Sequence, residues 1–353
     1  MSDRAAKPAR IRPMAVDRPP ARPPEFPPVE WLNTAVPLTL EGLLGQVVLL
    51  HFFDFTSPRC LRQLPVLRDW HRRYQQASLV TLGIHAAAFP FARDRAAVQR
   101  ALGRLGIRWP VALDNQQEIS TAFANRLLPA VHLIDRAGLL RSSLGGEAGD
   151  PAVETALRTL LEDGISPESG LPQRSPSEGV VTGGALMPVT PGLNVESIGN
   201  GSAQEDRASH FVLPDSRLEG AFYLDGEWRL RRRGWTLESD EGEIALPFQA
   251  SAVHAVLAAR PDDPIGDKGE PAWLEALLDR ERVEPGHFGQ DLLVRQQRTC
   301  LGVDAARSYS ILQSLPAGLH ELRLRCASPG TTVYAFAFEP DREPEPAPRS
   351  ELC

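Results

Sequence analysis

An uninterrupted apolar run that leads into a helical pattern constrains the fold of this chain more than any other feature. The run Val47–Phe53 has the length and the β-branched content of a buried strand. After a short polar break, apolar residues recur at steps of three and four, which predicts a helix over Leu61–Gln76. A single cysteine, Cys60, directly precedes this helix. The strand, the tight turn and the helix together indicate a helix packed on a sheet.

Strands and helices continue to alternate over residues 29–163. The predicted strands are Val47–Phe53, Leu79–His85, Val111–Asp114, Val131–Asp135 and Leu140–Ser143, and the predicted helices are Leu61–Gln76, Arg93–Leu105, Ile119–Asn125 and Pro151–Leu161. Alternation of this kind, with a turn signal at Ala137-Gly138, is typical of an α/β domain. We therefore assign residues 29–163 to one α/β domain.

Short runs separated by turn residues replace this pattern from Ala221 onward. The predicted strands of this part are Trp228–Arg231, Glu243–Phe248, Ala252–Ala258, Gln290–Arg295, Ser308–Leu312, Gly318–Cys326 and Thr331–Phe338. Several of them alternate apolar with polar residues, as strands do when one face is buried. Many short strands at this spacing indicate an all-β domain. We predict a jelly roll or β-sandwich over residues 218–340.

The remaining segments are rich in proline and in small or charged residues. Residues 1–28 combine basic side chains with repeated prolines, and such a segment cannot bury enough apolar surface to offset the entropy of ordering. Residues 164–217 lose all periodicity, and residues 341–353 are rich in proline and glutamate. These compositions predict a disordered N-terminal tail, an irregular linker and a disordered C-terminal tail.

Charge and hydropathy exclude several classes of function. The net charge of −7 argues against nucleic acid as a main partner. No window approaches the run of about 18 apolar residues that a transmembrane helix needs. The basic N-terminus is not followed by an apolar segment of the kind found in secretory signals. We therefore predict no membrane span and a cytoplasmic location.

Motifs in the α/β part resemble a known family. The segment Trp31–Leu50 resembles the opening of TlpA-like and redoxin-type thioredoxin domains, and Trp109–Asn115 resembles the C-terminal region of DipZ-type proteins in particular. Asn125–Ala130 is similar to the loop that holds the cis-proline of that fold, which makes Pro129 the candidate. The resemblance implies a thioredoxin-like fold and a bacterial-type relative of thiol–disulfide oxidoreductases.

The resemblance continues into the all-β part. The motifs Gly226-Glu227-Trp228, Arg307-Ser308-Tyr309 and Pro329–Phe336 resemble the β-sandwich that follows thioredoxin in DipZ-type proteins. That module is similar in shape to carbohydrate-binding modules. The resemblance covers residues 29–338, and the order of the two domains is more specific than any single motif.

The active-site positions depart from the family that the chain resembles. The family carries C-x-x-C, whereas this chain reads Ser57-Pro58-Arg59-Cys60. The position of the family's buried acid holds His51, and the position of its active-site tryptophan holds Phe53. Dithiol exchange needs an attacking thiolate and a second thiol, and a serine hydroxyl supplies neither. We interpret Ser57, at the position of the lost nucleophile, as a helix cap.

Two interpretations of Cys60 stay open at this stage. A thiol recessed against the helix and Pro129 would have a raised pKa and behave as a small hydrophobe. Alternatively, the neighbouring Arg59 could lower the pKa of Cys60, which would then act as a monothiol that forms mixed disulfides or senses peroxide. His51 and His85 are interpreted as structural, with catalysis as the alternative.

The other cysteines and histidines indicate neither a cofactor nor a metal site. Cys60, Cys300, Cys326 and Cys353 do not have the spacing of a disulfide framework or a zinc site. Cys300 and Cys326 lie on nearby predicted strands and could pair, although a cytoplasmic location favours free thiols. The terminal residue Cys353 is predicted to be exposed.

Three functions follow as hypotheses. The first is a binding or scaffold module that grips a protein or peptide partner in a groove beside Cys60 and Pro129, without dithiol turnover. The second is a monothiol oxidoreductase or peroxide sensor that uses Cys60. The third is glycan or envelope binding through aromatic residues of the β-sandwich. Those aromatic candidates, which could equally be core residues, are Trp228, Trp235, Trp273 and Tyr334. The sequence leaves the oligomeric state open.

Overall fold

The computed structural model describes residues 21–145, 151–163, 171, 189–202, 204–259 and 270–340. The chain divides into two compact units. The first unit comprises Met1–Asp54, Arg59–Ala86 and Leu105–Val180, and the second comprises Phe55–Pro58, Ala87–Arg104 and Val181–Cys353. The predicted C-terminal tail and Cys353 lie outside the described residues, as do residues 1–20 of the predicted N-terminal tail.

A mixed six-stranded sheet organises the first unit. Its strands are β1 (Trp31–Leu32), β2 (Val47–Phe53), β3 (Leu79–His85), β4 (Val111–Leu113), β5 (Ala130–Ile134) and β6 (Leu140–Gly145). The spatial order is β1-β4-β3-β2-β5-β6. Strands β2, β3 and β4 run parallel to one another, whereas β1, β5 and β6 pair antiparallel with their neighbours. The predicted thioredoxin-like α/β fold is confirmed.

Three helices lie between these strands along the chain, and a fourth follows the last strand. They are α1 (Pro58–Tyr74), α2 (Arg95–Arg104), α3 (Glu118–Ala122) and α4 (Pro151–Glu162). Helix α1 begins three residues before the predicted helix does, because a proline at the first helical position needs no hydrogen bond for its nitrogen. Cys60 therefore lies inside the first turn of α1 rather than in front of it.

Strand β2 is central because both of its edges are paired and every one of its residues is buried. Its even-numbered side chains, Val48, Leu50 and Phe52, pack in one apolar core with Ile119 and Phe123 around α3. Its odd-numbered side chains, which include His51, point to the opposite face because successive strand residues alternate. A strand buried on both faces reads as an unbroken apolar run, which explains why the sequence pattern was clear.

Residues 21–28, which the sequence assigns to a disordered tail, contact the rest of the first unit. The backbone oxygen of Ala21 accepts a hydrogen bond from the Leu140 amide at 3.0 Å, beside strand β6. The Glu25 carboxylate accepts from the amides of Leu40 and Glu41 at 2.7 and 3.1 Å. The Phe26 ring contacts Trp31, with ring centroids 5.4 Å apart. A proline-rich composition did not reveal these contacts, because composition alone carries no information about tertiary partners such as Leu140.

The second unit contains a twelve-stranded antiparallel sheet that confirms the predicted all-β domain. Its strands are β7 (Leu193–Asn194), β8 (Ala208–Phe211), β9 (Tyr223–Arg231), β10 (Gly234–Phe248), β11 (Ala252–Ala258), β12 (Ala272–Leu278), β13 (Glu281–Arg282), β14 (Leu292–Arg295), β15 (Arg298–Val303), β16 (Arg307–Leu312), β17 (His320–Cys326) and β18 (Thr332–Glu339). The main path runs β14-β15-β12-β17-β10-β18-β11-β16. Strands β14 and β16 lie next to each other, so the sheet folds back into a nearly closed sandwich around one apolar core.

Some strands of this unit have no signal in the sequence. Strands β7 and β8 fall inside the predicted linker 164–217, so the all-β unit starts earlier than residue 218. Strand β12 reads Ala-Trp-Leu-Glu-Ala-Leu-Leu, a composition that favours a helix. It is a strand because β15 and β17 pair with it on both edges. Tertiary pairing overrides local propensity here.

Strand register separates two cysteines that the sequence left as a possible pair. Cys300 lies opposite Glu275, and Cys326 lies opposite Leu274 on the same strand β12. Adjacent strand residues point to opposite faces of a sheet, so the two thiols lie on opposite faces. Both cysteines are free, and the suggestion that they pair is wrong.

The described residues contain neither a membrane-spanning helix nor a cluster of metal-binding side chains. No helix within the described ranges is long and apolar enough to cross a membrane. Among the same residues, no group of three or more histidine, cysteine or acidic side chains is arranged to hold a metal ion.

Candidate functional site

The segment at the start of α1 carries the two residues that the sequence singled out for chemistry. Ser57 directly precedes α1 and is partly exposed, whereas the Cys60 side chain is 0% exposed. Burial of a thiol disfavours the thiolate, which is the reactive form. The geometry therefore favours the interpretation of Cys60 as a small buried hydrophobe. The role of Ser57 as a helix cap stays a prediction.

His51 lies buried on the face of β2 opposite to the α3 core. It pairs across the sheet with Gly83 on β3 and Val131 on β5, and its ring stacks on Phe53 with centroids 5.0 Å apart. Burial lowers the pKa of His51 to about 3, an effect that a side-chain interaction with Gln63 opposes only in part. A pKa this low keeps the imidazole neutral at pH 7. The interpretation of His51 as a structural residue stays a prediction.

A buried carboxylate and a second buried histidine meet at the end of strands β2 and β3. The Nε2 atom of His85 lies 3.8 Å from an Asp54 oxygen, and both side chains are almost completely buried. Sequence reasoning considered His85 but missed Asp54. A charged residue that directly follows an apolar strand was the available signal.

The loop between α3 and β5 holds the predicted cis-proline position. The peptide bond between Leu128 and Pro129 is cis, the conformation that the resemblance implies. Pro129 is buried, whereas the Leu127 side chain is 64% exposed. A Cβ atom at Gly145 would lie 3.3 Å from Leu127 Cδ1, so the Leu127 side chain rests on the end of β6. Leu127, rather than the thiol or the proline, is the apolar group that this region offers to solvent.

Sequence reasoning missed three polar residues around this loop. They are Asn125 in the loop itself, His132 on β5 and Ser143 on β6, and hydrogen bonds connect them. His132 is buried, and burial lowers its pKa to about 4. A histidine within the apolar strand pattern of β5 was the one sequence signal for this group.

Three of the four aromatic residues considered for sugar binding are core residues. Trp228, Trp235 and Tyr334 are buried in the second unit. Trp273 is partly exposed, but one ring face lies against Gly302, where a Cβ atom would come within 3.0 Å of the indole. The guanidinium of Arg295 lies 4.4 Å from the ring centroid. No open aromatic platform is formed by these four residues.

Comparisons with known protein families agree with this architecture. Residues 25–157 match the model of the Redoxin family, and residues 194–338 match the model described as thioredoxin-like C-terminal domain. The second match begins inside the predicted linker, at strand β7 of the all-β unit. Both matches confirm the resemblance that the motifs suggested.

The relatives include a two-domain match and a single-domain match. Protein DipZ of Mycobacterium bovis is 32% identical over 250 residues, which are 69% of this chain and 36% of DipZ. The chain thus spans about a third of the length of that relative. The thiol-disulfide oxidoreductase YkuV of Bacillus subtilis is 25% identical over 134 residues, which are 38% of this chain and 88% of YkuV.

Solved structures also resemble part of the chain. One is a thiol-disulfide isomerase from Corynebacterium glutamicum, with 26% sequence identity and a TM-score of 0.35. The match covers 39% of this chain and 96% of that protein.

Proposed function

We propose that this chain, whose residues 25–157 match the Redoxin model and whose residues 194–338 match the thioredoxin-like C-terminal domain model, has lost the dithiol exchange of thiol–disulfide oxidoreductases. In this proposal the thioredoxin-like domain binds a protein partner and does not cycle a dithiol. The proposal depends on the side chains at positions 57 and 60, where the family carries its two cysteines. Ser57 has no thiol, and Cys60, the sole cysteine before residue 300, has no exposed surface.

The chemistry of dithiol exchange supports this proposal. An exposed thiolate must attack the substrate disulfide, and a second thiol must then resolve the mixed disulfide. Ser57 cannot form a disulfide, and Cys60 has no neighbouring thiol along helix α1. The burial of Cys60 also argues against the monothiol alternative, because a buried thiol meets neither a substrate disulfide nor a peroxide without local opening. Catalysis by this segment therefore lacks both of its steps.

We expect the full chain to leave insulin disulfides intact in the presence of glutathione or thioredoxin reductase, with a rate equal to that of the Cys60→Ala variant. We also expect Cys60 to resist alkylation by iodoacetamide in the native protein and to react fully once urea unfolds it. Mass spectrometry of the peptide that contains Cys60 measures the second result. Insulin reduction that disappears in Cys60→Ala would overturn the proposal in favour of the monothiol alternative.

The partner in this proposal is an extended polypeptide segment with an apolar side chain. Leu127 supports this choice, because its apolar side chain is 64% exposed and lies two residues before the cis-proline, in the same loop. A few side chains that fill pockets of the partner carry most of the affinity of a protein interface, and Leu127 is the exposed apolar candidate for such a role in this loop. The glycan alternative has less support, since three of its four candidate residues are buried.

A binding experiment with a matched control tests this choice of partner. S-carboxymethylated insulin B chain, an extended polypeptide without reactive thiols, serves as the probe in fluorescence anisotropy with the full chain. We expect Leu127→Asp to weaken binding by about tenfold, because the charge replaces an apolar anchor. Val36 is also an exposed apolar residue of the first unit, 62% exposed, so Val36→Asp is the control and should leave the affinity unchanged. Equal losses in both variants would refute a specific role of Leu127.

A further inference from the structure

The loop that presents Leu127 is fixed by hydrogen bonds within the loop and around it. Helix α3 ends at Ala122, and Ala124 then adopts a left-handed backbone conformation with φ of 52°. The backbone amide of Asn125 donates a hydrogen bond to the backbone oxygen of Ser120 at 2.8 Å. A left-handed residue followed by such a bond is a common way to terminate a helix. The chain thereby places the side chain of Asn125 at the base of the loop.

The side chain of Asn125 connects the loop to the sheet. Its Nδ2 donates to the backbone oxygen of Leu127 at 3.0 Å, two residues further along. Its Oδ1 lies 3.3 Å from Nε2 of His132 on β5. The side-chain amide of Asn125 therefore bridges the backbone carbonyl group of Leu127 and the imidazole of His132. This bridge sets the orientation of the peptide unit next to the cis-proline.

The directions of these hydrogen bonds follow from one another. The backbone oxygen of Leu127 can only accept, so Asn125 must turn its amide nitrogen towards it and its oxygen towards His132. His132 must then donate from Nε2, which leaves Nδ1 of the neutral ring as an acceptor. The hydroxyl of Ser143 on β6 lies 3.2 Å from Nδ1 and can donate to it. A single arrangement of hydrogens satisfies all four groups.

The surroundings of His132 hold its ring in place. The ring centroid lies 4.8 Å from that of Phe52 and 5.9 Å from that of Phe123, in the core between the sheet and α3. Only 3% of the residue is exposed. A buried histidine with both nitrogens engaged can define a position more sharply than an exposed one, because water cannot replace its partners.

We propose that Asn125 and His132, supported by Ser143, are positioning residues that hold the loop 125–129 in the shape in which it presents Leu127. This inference rests on the proposed binding function, since it assigns these residues a role at the same site. It goes further by predicting that affinity depends on buried polar groups that do not contact the partner. A packing role alone would require only the volume of the His132 ring, not the direction of its hydrogen bonds.

Two substitutions of His132 separate hydrogen-bond direction from packing. The amide nitrogen of glutamine can take the place of Nε2 and donate to Asn125, whereas asparagine is too short and reaches only the position of Nδ1. We therefore expect His132→Gln to bind the insulin B-chain probe within about twofold of the original chain. His132→Asn and Asn125→Ala should weaken binding by about tenfold. Equal affinities for the Gln and Asn variants would overturn the proposal.

Hydrogen exchange of the loop gives a readout that does not depend on the partner. We expect the backbone amides of residues 125–128 to exchange at least about tenfold faster in Asn125→Ala and His132→Asn than in the original chain, while β2 and β3 keep their protection. Unchanged exchange in the loop of Asn125→Ala would refute the positioning role. If the probe does not bind the original chain at all, the proposed function fails, and the exchange measurement still decides the positioning role.

A neighbouring pair of serines supplies the matched control. Ser143 lies opposite His132 on β6, whereas Ser142 lies opposite Leu133 and points to the other face. We expect Ser143→Ala to shift the ¹⁵N resonances of the His132 ring, because Nδ1 loses its donor, and Ser142→Ala to leave them unchanged. In the original chain those resonances should show the tautomer with the proton on Nε2. The opposite tautomer, or equal shifts in both serine variants, would contradict the proposed hydrogen-bond order.

Discussion

Acidification from pH 7 to pH 4 is expected to lower the free energy of unfolding of the first unit by several kcal/mol. Burial lowers the pKa of His51 to about 3 and that of His132 to about 4, whereas an unfolded histidine titrates near pH 6.5. Between these values the unfolded chain binds more protons than the folded chain. Stability is therefore complete above pH 6.5 and is lost as the pH falls towards the folded values.

The size of this effect follows from the two shifts. At pH 4 each histidine contributes a loss on the order of 3 kcal/mol, so the two together approach the whole stability of an ordinary domain. Hydrogen exchange of peptides from β2 and β5, measured at several pH values, reports the unfolding free energy of this unit. The same measurement on the strands of the second unit serves as an internal reference.

Variants assign the acid sensitivity to individual residues. His51→Leu and His132→Gln remove the titrating groups, and each should remove about half of the loss between pH 7 and pH 4. His210 is an exposed histidine of the second unit, so His210→Gln is the control and should change nothing. An unchanged pH dependence in His51→Leu would show that His51 is not the buried neutral group described here.

The substitution Ser57→Cys is expected to give this protein an internal disulfide that it otherwise lacks. It would place a thiol at the N-terminus of α1, where the helix dipole favours the thiolate, three residues before Cys60. Two cysteines at this spacing at a helix start form the redox pair of thioredoxin-like proteins. Oxidised glutathione should therefore convert Ser57→Cys to a form that is lighter by about 2 Da, because two thiol protons are lost.

Activity should accompany this disulfide, although at a modest level. We expect Ser57→Cys to reduce insulin at least about tenfold faster than the original chain, with Ser57→Ala and the double variant Ser57→Cys, Cys60→Ala as inactive controls. Full activity is not expected, because His51 replaces the family's buried acid and is a weak proton acceptor. If no internal disulfide forms, the start of α1 does not have the geometry of a redox site, and the proposal that the serine at position 57 accounts for the loss of dithiol exchange is wrong.

Local sequence patterns predicted the order of elements well in the first unit. Strand β2 was predicted with its observed bounds because all seven of its residues are buried and apolar or aromatic apart from His51. Strand β3 was also predicted with its observed bounds, although it contains Thr81, Gly83 and His85, because six of its seven residues are buried. The second unit was harder, since β12 has the composition of a helix and becomes a strand only through pairing with β15 and β17.

In the candidate site, too, the sequence revealed the residues of local motifs and missed those that tertiary structure brings together. The sequence identified Ser57, Cys60 and Pro129, because each stands at a recognisable place in a local motif. It could not identify Asn125, His132 and Ser143 as a group, because strand pairing brings together residues from a loop and two strands. Nor could it decide whether Cys60 is exposed, since burial depends on everything that packs around α1.

By itself the sequence determined that the start of α1 carries a single cysteine, with serine at position 57, and that an α/β domain precedes an all-β domain. These properties lie in contiguous residues, where local composition is sufficient. Only the tertiary structure decided that Cys60 is buried, that His51 is neutral, and that Cys300 and Cys326 point to opposite faces. Each of these depends on neighbours distant in the chain, because burial and strand register arise from packing rather than from local preference.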